Sequence, residues 1–261
     1  MQQFGPGNRQ IAYAFNEGSL APVDLHKELK RSGRAEKTKE GLIVKTPGMR
    51  QTGLSSVPLD FQSWLPAASP HYHVSPNFND YVLVPVIIMP SDIPNRNAVA
   101  FPRQELVKFY PHLGQTAYKT WKGKPVHYEH QNEDITKAYG IIADSFFKRM
   151  PNRGQGQIFK VLLLLAWDRT KHPETVSRII AGDLNSYSMG AFVGTYTCSY
   201  CSHELGTCIH LDPKDPTNMY ELNGRLVFRN VVDPEGFECS GVEGPAYISA
   251  ISDSFIQVKT N

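Results

Sequence analysis

Two groups of residues in this chain are spaced for chemistry. One is Cys198-x-x-Cys201 followed by Cys208-Ile209-His210, four soft or borderline metal ligands within thirteen residues. Paired thiolates two residues apart, with a second pair on the return limb of a loop through Gly206, can converge on a tetrahedral zinc ion. His203 is an alternative ligand. Cysteines clustered this way in a reducing compartment point to metal rather than to disulfides. Four protein ligands leave no open position for water, so such a zinc would fix a loop and not perform chemistry. Cys239 stands apart and reads as a buried thiol.

The other group consists of serine, histidine and acid. A serine nucleophile needs a base to take its proton, and the base needs a third group to fix its tautomer and stabilise its cation. His127-Tyr128-Glu129-His130-Gln131-Asn132 ends a strand and begins a polar turn, where a side chain is both held and accessible. Gly182 to Gly190 leaves a helix and enters a strand, and Gly190 lets the backbone come close to whatever sits on Ser188. Spacing alone allows plainer readings, a solvated loop histidine and a strand serine bonded locally. It also allows a metalloenzyme in which His127 and His130 share a metal with an acid. Three apart, they share a face on a helix and diverge on a strand, and the strand is favoured here. His71 and His73 lack a further ligand and read as surface residues.

The order of these segments carries a resemblance. Glu129-His130-Gln131-Asn132 before Ala138-Tyr139-Gly140-Ile141-Ile142-Ala143-Asp144, then Tyr187-Ser188-Met189-Gly190, then Phe237-Glu238-Cys239-Ser240-Gly241 leading to Pro245-Ala246, resembles the three motifs of tailed-phage prohead (capsid maturation) serine proteases. The similarity spans about residues 80 to 255. It implies His130 as general base, Ser188 as nucleophile and Glu238 as the acid orienting the imidazole, with Asp168 and Glu243 as fallbacks for the third role. Assemblin, the herpesvirus relative in fold, uses a second histidine in that role. The resemblance further implies an α+β, β-rich fold: a mostly antiparallel β-barrel of the herpesvirus-protease type with surrounding helices, here with a zinc-knuckle insertion. The implied partners are phage scaffold and core proteins and the major capsid protein as substrates, with self-association and self-processing at Glu17-Gly18 or Glu40-Gly41 conceivable. The place of action would be the host cytoplasm, inside the assembling prohead.

These residues need strands to position them. Asp80 to Met89 and Ile158 to Trp167 are β-branched or leucine-rich runs suited to strands buried on both faces. Tyr139 to Phe147, Ala191 to Thr197, Arg225 to Val231 and Ala246 to Ile256 are further strands. Phe101 to Leu113 reads as a short helix plus turn. His172-Pro173-Glu174 opens a helix with Val176, Ile179 and Ile180 on one face and Gly182 at its end. Residues 1–70 read as an N-terminal arm or covering segment with one helix at Val23 to Arg31. On the resemblance, residues 71–261 are expected to be the protease domain, with 198–210 as the zinc-knuckle insertion.

Composition bounds what remains. The 261 residues are 41% hydrophobic and 20% charged, as in ordinary globular proteins, and carry a net charge of +2 from 27 basic and 25 acidic residues spread along the chain. That balance offers no field to attract nucleic acid or an anionic membrane. The knuckle also lacks the interleaved basic and aromatic residues of nucleic-acid binders. The longest apolar run, Val161 to Trp167, is far short of the roughly 20 residues needed to span a bilayer. A non-enzymatic, zinc-containing head scaffold or structural protein is the alternative reading.

Overall fold

A computed structural model describes residues 10–13, 35–38, 41–44, 59–150, 158–212, 214–215, 217–247, 250, 252 and 256–257. The segment Val23 to Arg31 lies outside the described residues, as do Glu17, Gly18 and Glu40.

The two hydrophobic runs seen in the sequence form the middle of the principal sheet. Its eight strands, in chain order, are β1 (Gln10–Tyr13), β2 (Tyr81–Pro90), β3 (Pro125–Tyr128), β4 (Gly140–Met150), β5 (Ile158–Asp168), β6 (Tyr187–Val193), β7 (Glu235–Gly241) and β8 (Ile256–Gln257). They lie side by side as β1-β6-β7-β3-β4-β5-β2-β8. All neighbours are antiparallel except β7 and β3, which run parallel. The architecture is α+β and strand-rich, with the sheet curled into a half barrel and few helices.

Burial on both faces explains why β2 and β5 show no polar alternation. On one face Val82, Val84, Val86, Leu163, Leu165, Trp167, Tyr187, Met189, Val126 and Cys239 pack into the larger core. Helix α2 (Pro173–Ala181) adds Val176 and Ile179 there; Pro173 starts it, and Gly182, at φ 80°, ends it in the left-handed conformation that glycine adopts without strain. On the other face Tyr81, Leu83, Ile141, Ala143 and Leu164 meet helix α1 (Leu59–Tyr72) through Phe61 and Leu65. Thus α1, most of which falls within the segment read as an arm or covering segment, packs into the core.

The strand expectations are met at β2, β4 and β5 and shifted elsewhere. Ala191 to Thr197 is two strands, β6 and Thr195–Cys198, divided at Gly194, and Arg225 to Val231 is likewise two, Arg225–Val227 and Arg229–Val232. The strand expected over Ala246 to Ile256 is absent at Ala246 and Tyr247, where the chain turns with the Ala250 N–H donating to the Tyr247 carbonyl at 2.9 Å. In its place β7 is the strand that carries Glu238. Thr195–Cys198, Arg229–Val232 and Val99–Ala100 form a small second sheet beyond the β6/β7 ribbon. None of the described helices is long and apolar enough to cross a membrane.

Candidate functional site

Strand register assembles the polar site. Ser188 on β6 pairs with Ser240 on β7, and Ser240 pairs with His127 on β3. Cross-strand partners share a face, so Ser188, Ser240 and His127 lie in a row, and Glu238, two residues before Ser240, stands on the same side. Their neighbours Met189, Cys239 and Val126 point into the apolar core opposite. Ser188, Ser240, Glu238 and His127 are all fully buried.

His130 reaches this row from the turn after β3. Its Nδ1–H donates to Glu238 Oε1 at 2.8 Å; a carboxylate can only accept, so the proton sits on Nδ1 and Nε2 is the basic nitrogen. The other carboxylate oxygen, Oε2, accepts from the Ser240 hydroxyl at 2.6 Å. A buried carboxylate is tolerated only with such partners. The turn itself is unusual. Glu129 and His130 have φ of 49° and 53°, and the Gln131 N–H closes the turn on the Tyr128 carbonyl at 3.1 Å. Two successive non-glycine residues in the left-handed region cost of order 1–3 kcal/mol each, and such strain clusters at functional sites. The turn is pinned by the Glu129 N–H to Gly241 O at 2.9 Å, and by Glu129 Oε1 accepting from the Glu243 N–H at 2.7 Å.

The sequence left the third role open between three acids, and their surroundings separate them. Asp168 is taken up in its own turn, accepting from the N–H groups of Ser75 (2.7 Å), Thr170 (2.8 Å) and Lys171 (3.1 Å) and from the Thr170 hydroxyl (2.7 Å). Glu243 is exposed and pairs with Arg178 at 2.8 Å. Of the three, Glu238 is the one whose carboxylate bonds the His130 ring, at 2.8 Å. Ser240 was not singled out by sequence reasoning; recognising β7 as a strand would have placed it beside Glu238.

Ser188 Oγ is buried and has no hydrogen-bond partner among the described residues. It is therefore in line with the Glu238–His130 pair by strand register, without a bond to either imidazole. Catalytic hydrogen bonds are often long in the substrate-free state and tighten on binding. Gly190 keeps the row open: a Cβ there would lie 2.4 Å from the Phe237 ring and 2.8 Å from Glu238 Oε1. Gly190→Ala should therefore push Glu238 away from His130. Differential scanning calorimetry should show destabilisation of about 1–3 kcal/mol, the usual cost of overpacking, and any Ser188-dependent activity should fall with it.

His127 is the second imidazole of the row, and neither ring nitrogen has a hydrogen-bond partner among the described residues. Burial lowers its pKa, opposed by Glu238 and reinforced by His130 and Lys171. Burial likewise lowers His172, which stacks on Tyr139 at 3.7 Å between ring centroids. A histidine whose folded pKa lies below its unfolded value binds fewer protons when folded. Its contribution to stability is intact above the unfolded pKa of about 6.5 and is lost as pH falls through the window below that value. The melting temperature should drop between about pH 7 and about pH 5.5, and His127→Leu should flatten that slope.

The cysteine group comes together as expected. The ligand atoms of Cys198, Cys201, Cys208 and His210 all lie within 4.8 Å of one another, and among the described residues they form the one such group that could hold a metal ion. Cys201 Sγ is 3.3 Å from Cys208 Sγ, which is 3.5 Å from His210 Nδ1. A tetrahedral centre with metal–sulfur bonds of about 2.3 Å places its sulfurs roughly 3.8 Å apart, so small shifts suffice. Main-chain N–H groups of Tyr200 and His210 donate to Cys198 Sγ and Cys208 Sγ at 3.4 and 3.2 Å. The His203 N–H lowers the Cys201 thiol, while burial and the nearby Cys201 raise Cys208. His203 is exposed and outside the group of four, and His127 and His130 do not form a second group among the described residues, so the shared-metal reading of those two histidines finds no support in the geometry. Cys239 is buried, and burial followed by Glu238 pushes its thiol well up, as for an inert core thiol.

No protein-family model matches this chain, and neither the curated proteins nor the solved structures contain a match.

Proposed function

We propose that the chain is a serine endopeptidase in which His130, oriented by Glu238, activates Ser188 for attack on a peptide carbonyl. The observation that carries this reading is the 2.8 Å bond from His130 Nδ1 to a fully buried Glu238, in a strand row that also contains Ser188. In the reaction Ser188 Oγ adds to the carbonyl while its proton passes to His130 Nε2. The imidazolium is stabilised by Glu238 and returns the proton to the leaving amine. Water then hydrolyses the acyl-enzyme by the same base. Ser240 holds the carboxylate through its second oxygen, as the outer partner that keeps the acid aimed.

Motif order is what supports assignment to the prohead-protease type; that assignment brings with it a herpesvirus-protease-like barrel, with which the strand-rich, curled sheet is compatible, and scaffold, core and major capsid proteins as substrates inside the assembling prohead. The Cys198, Cys201, Cys208 and His210 group we assign to a structural zinc ion: three thiolates and one imidazole match its ligand preference, and the set is complete without water. Incubating the chain with the scaffold and capsid proteins of its own genome tests the activity. Intact mass should show discrete cuts with the wild type and none with Ser188→Ala; equal cutting by both excludes Ser188.

One observation favours a second reading, a non-enzymatic metal-containing head protein. A cavity of about 440 Å³ borders Cys208, His210, Asp212 and Arg229 at the metal group, and its lining does not include Ser188. Failure of the wild type to cut even assembled proheads would select that reading.

A further inference from the structure

The strand that carries Ser188 has two edges, and they do different things. One edge pairs with β7 and so delivers Glu238 and, through it, His130. The other pairs with β1, antiparallel, in the register Gln10↔Val193, Ile11↔Phe192, Ala12↔Ala191 and Tyr13↔Gly190. Since β1 is the outermost strand on this side, β6 would be the edge of the sheet without it. The β7 side is taken by the strand that carries Glu238, so the edge of β6 open to a pairing peptide is the one that β1 occupies.

We propose that β1 occupies the place of the substrate: an extended peptide binds by adding as a strand to the outer edge of β6, and β1 must leave before it can. This rests on the assignment of Ser188 as nucleophile. The described pairing runs up to Gly190, two residues from Ser188 and on the same face. A peptide that continued this register by two residues would bring its main chain beside Ser188, across β6 from the β7 edge that carries Glu238. Strand addition draws affinity from main-chain hydrogen bonds and takes specificity from alternate side chains, which suits a protease that must cut extended segments of several proteins. The bare backbone at Gly190 leaves no β6 side chain on that face next to the nucleophile. Exchange is feasible because β1 pairs over four residues, whereas the β6–β7 ribbon is held over six paired positions and capped by the second sheet. The full burial of Ser188 in the present state fits a covered site.

Proline tests this in the full chain. Successive strand residues direct their N–H groups to opposite sides, so one of Ile11→Pro and Ala12→Pro removes a bond to β6, and the ring hinders pairing in either case. Each variant and the wild type are treated with a fluorophosphonate, which phosphonylates an activated serine with loss of fluoride, and the rate of adduct formation on Ser188 is followed by peptide mapping. A synthetic peptide spanning Asn8–Phe15 is added to a parallel set. At least one proline variant should label roughly ten-fold or more faster than wild type with an unchanged melting transition, and the peptide should slow it again. Equal labelling of Ser188 in all three proteins overturns the inference while leaving the nucleophile in place. Absence of Ser188 labelling in every protein overturns the nucleophile assignment, and the inference with it.

Discussion

Glu238→Gln should lower peptide cleavage about 10⁴-fold while leaving the fold and substrate binding nearly unchanged. The comparable acid-to-amide change in a serine triad has that size because the amide holds the imidazole in the wrong tautomer. Here the geometry fixes the same outcome. The Ser240 hydroxyl donates to Oε2 in the native protein. If the introduced amide keeps its oxygen on that hydroxyl, its NH₂ group turns towards His130 Nδ1. Nδ1 would then accept, the ring proton would move to Nε2, and the base would be lost. The kinetic signature is a fall in kcat with KM little altered, since the interaction matters only as charge develops. By contrast, Glu243→Gln should stay within about twofold of wild type, because an exposed ion pair such as Glu243–Arg178 contributes little. If the two variants fall equally, Glu238 is not the orienting acid.

The second large effect concerns the cysteine group. Structural zinc contributes on the order of 10 kcal/mol or more to the small modules it organises, and the local apolar cluster here is slight: Cys198, Cys208, Leu211 and Val227, with partly buried Tyr200, Tyr220 and Leu222 around them. Cys208→Ser, or a strong chelator, should therefore raise amide hydrogen exchange across Thr195–Val232 by roughly two or more orders of magnitude. The pairing of β2, β4 and β5, which rests on its own cores, should keep its protection. The segment joins β6 to β7, so its loss should also loosen the Ser188–Ser240 register and reduce activity. Cobalt substitution gives the direct check: thiolate-to-cobalt absorption should saturate at one equivalent. A chain that binds no metal, with unaltered exchange on chelation, would remove the zinc assignment.

How much of this was legible in the sequence depends on whether a feature is local. The runs that became β2 and β5 were visible because strands buried on both faces are almost wholly apolar. Helix α2 was visible from proline at its start and glycine at its end. The cysteine spacing was equally local. By contrast, β7 escaped notice: Gly236, Gly241, Glu235 and Glu238 are poor strand formers, and the segment is extended because β6 and β3 pair with both its edges. Helix α1 was hidden by Pro66 and Pro70, which argue against a helix interior. The parallel pairing of β3 with β7 leaves no periodic trace, and it is what brings His127 beside Ser240. The candidate site residues could be read from motif order. Their alignment on one buried face and the place of Ser240 beside Glu238 required the register, and telling Glu238 from Asp168 and Glu243 as a candidate required their hydrogen-bond partners.

A Ser188 activated by His130 should react with a serine-directed reagent, and prolonged exposure of the full chain to a fluorophosphonate, followed by mass mapping of every serine, shows whether it does. A single phosphonyl group, on Ser188, is expected in the wild type and no adduct in His130→Ala. A chain that remains unmodified, or one labelled equally with and without His130, would contradict it.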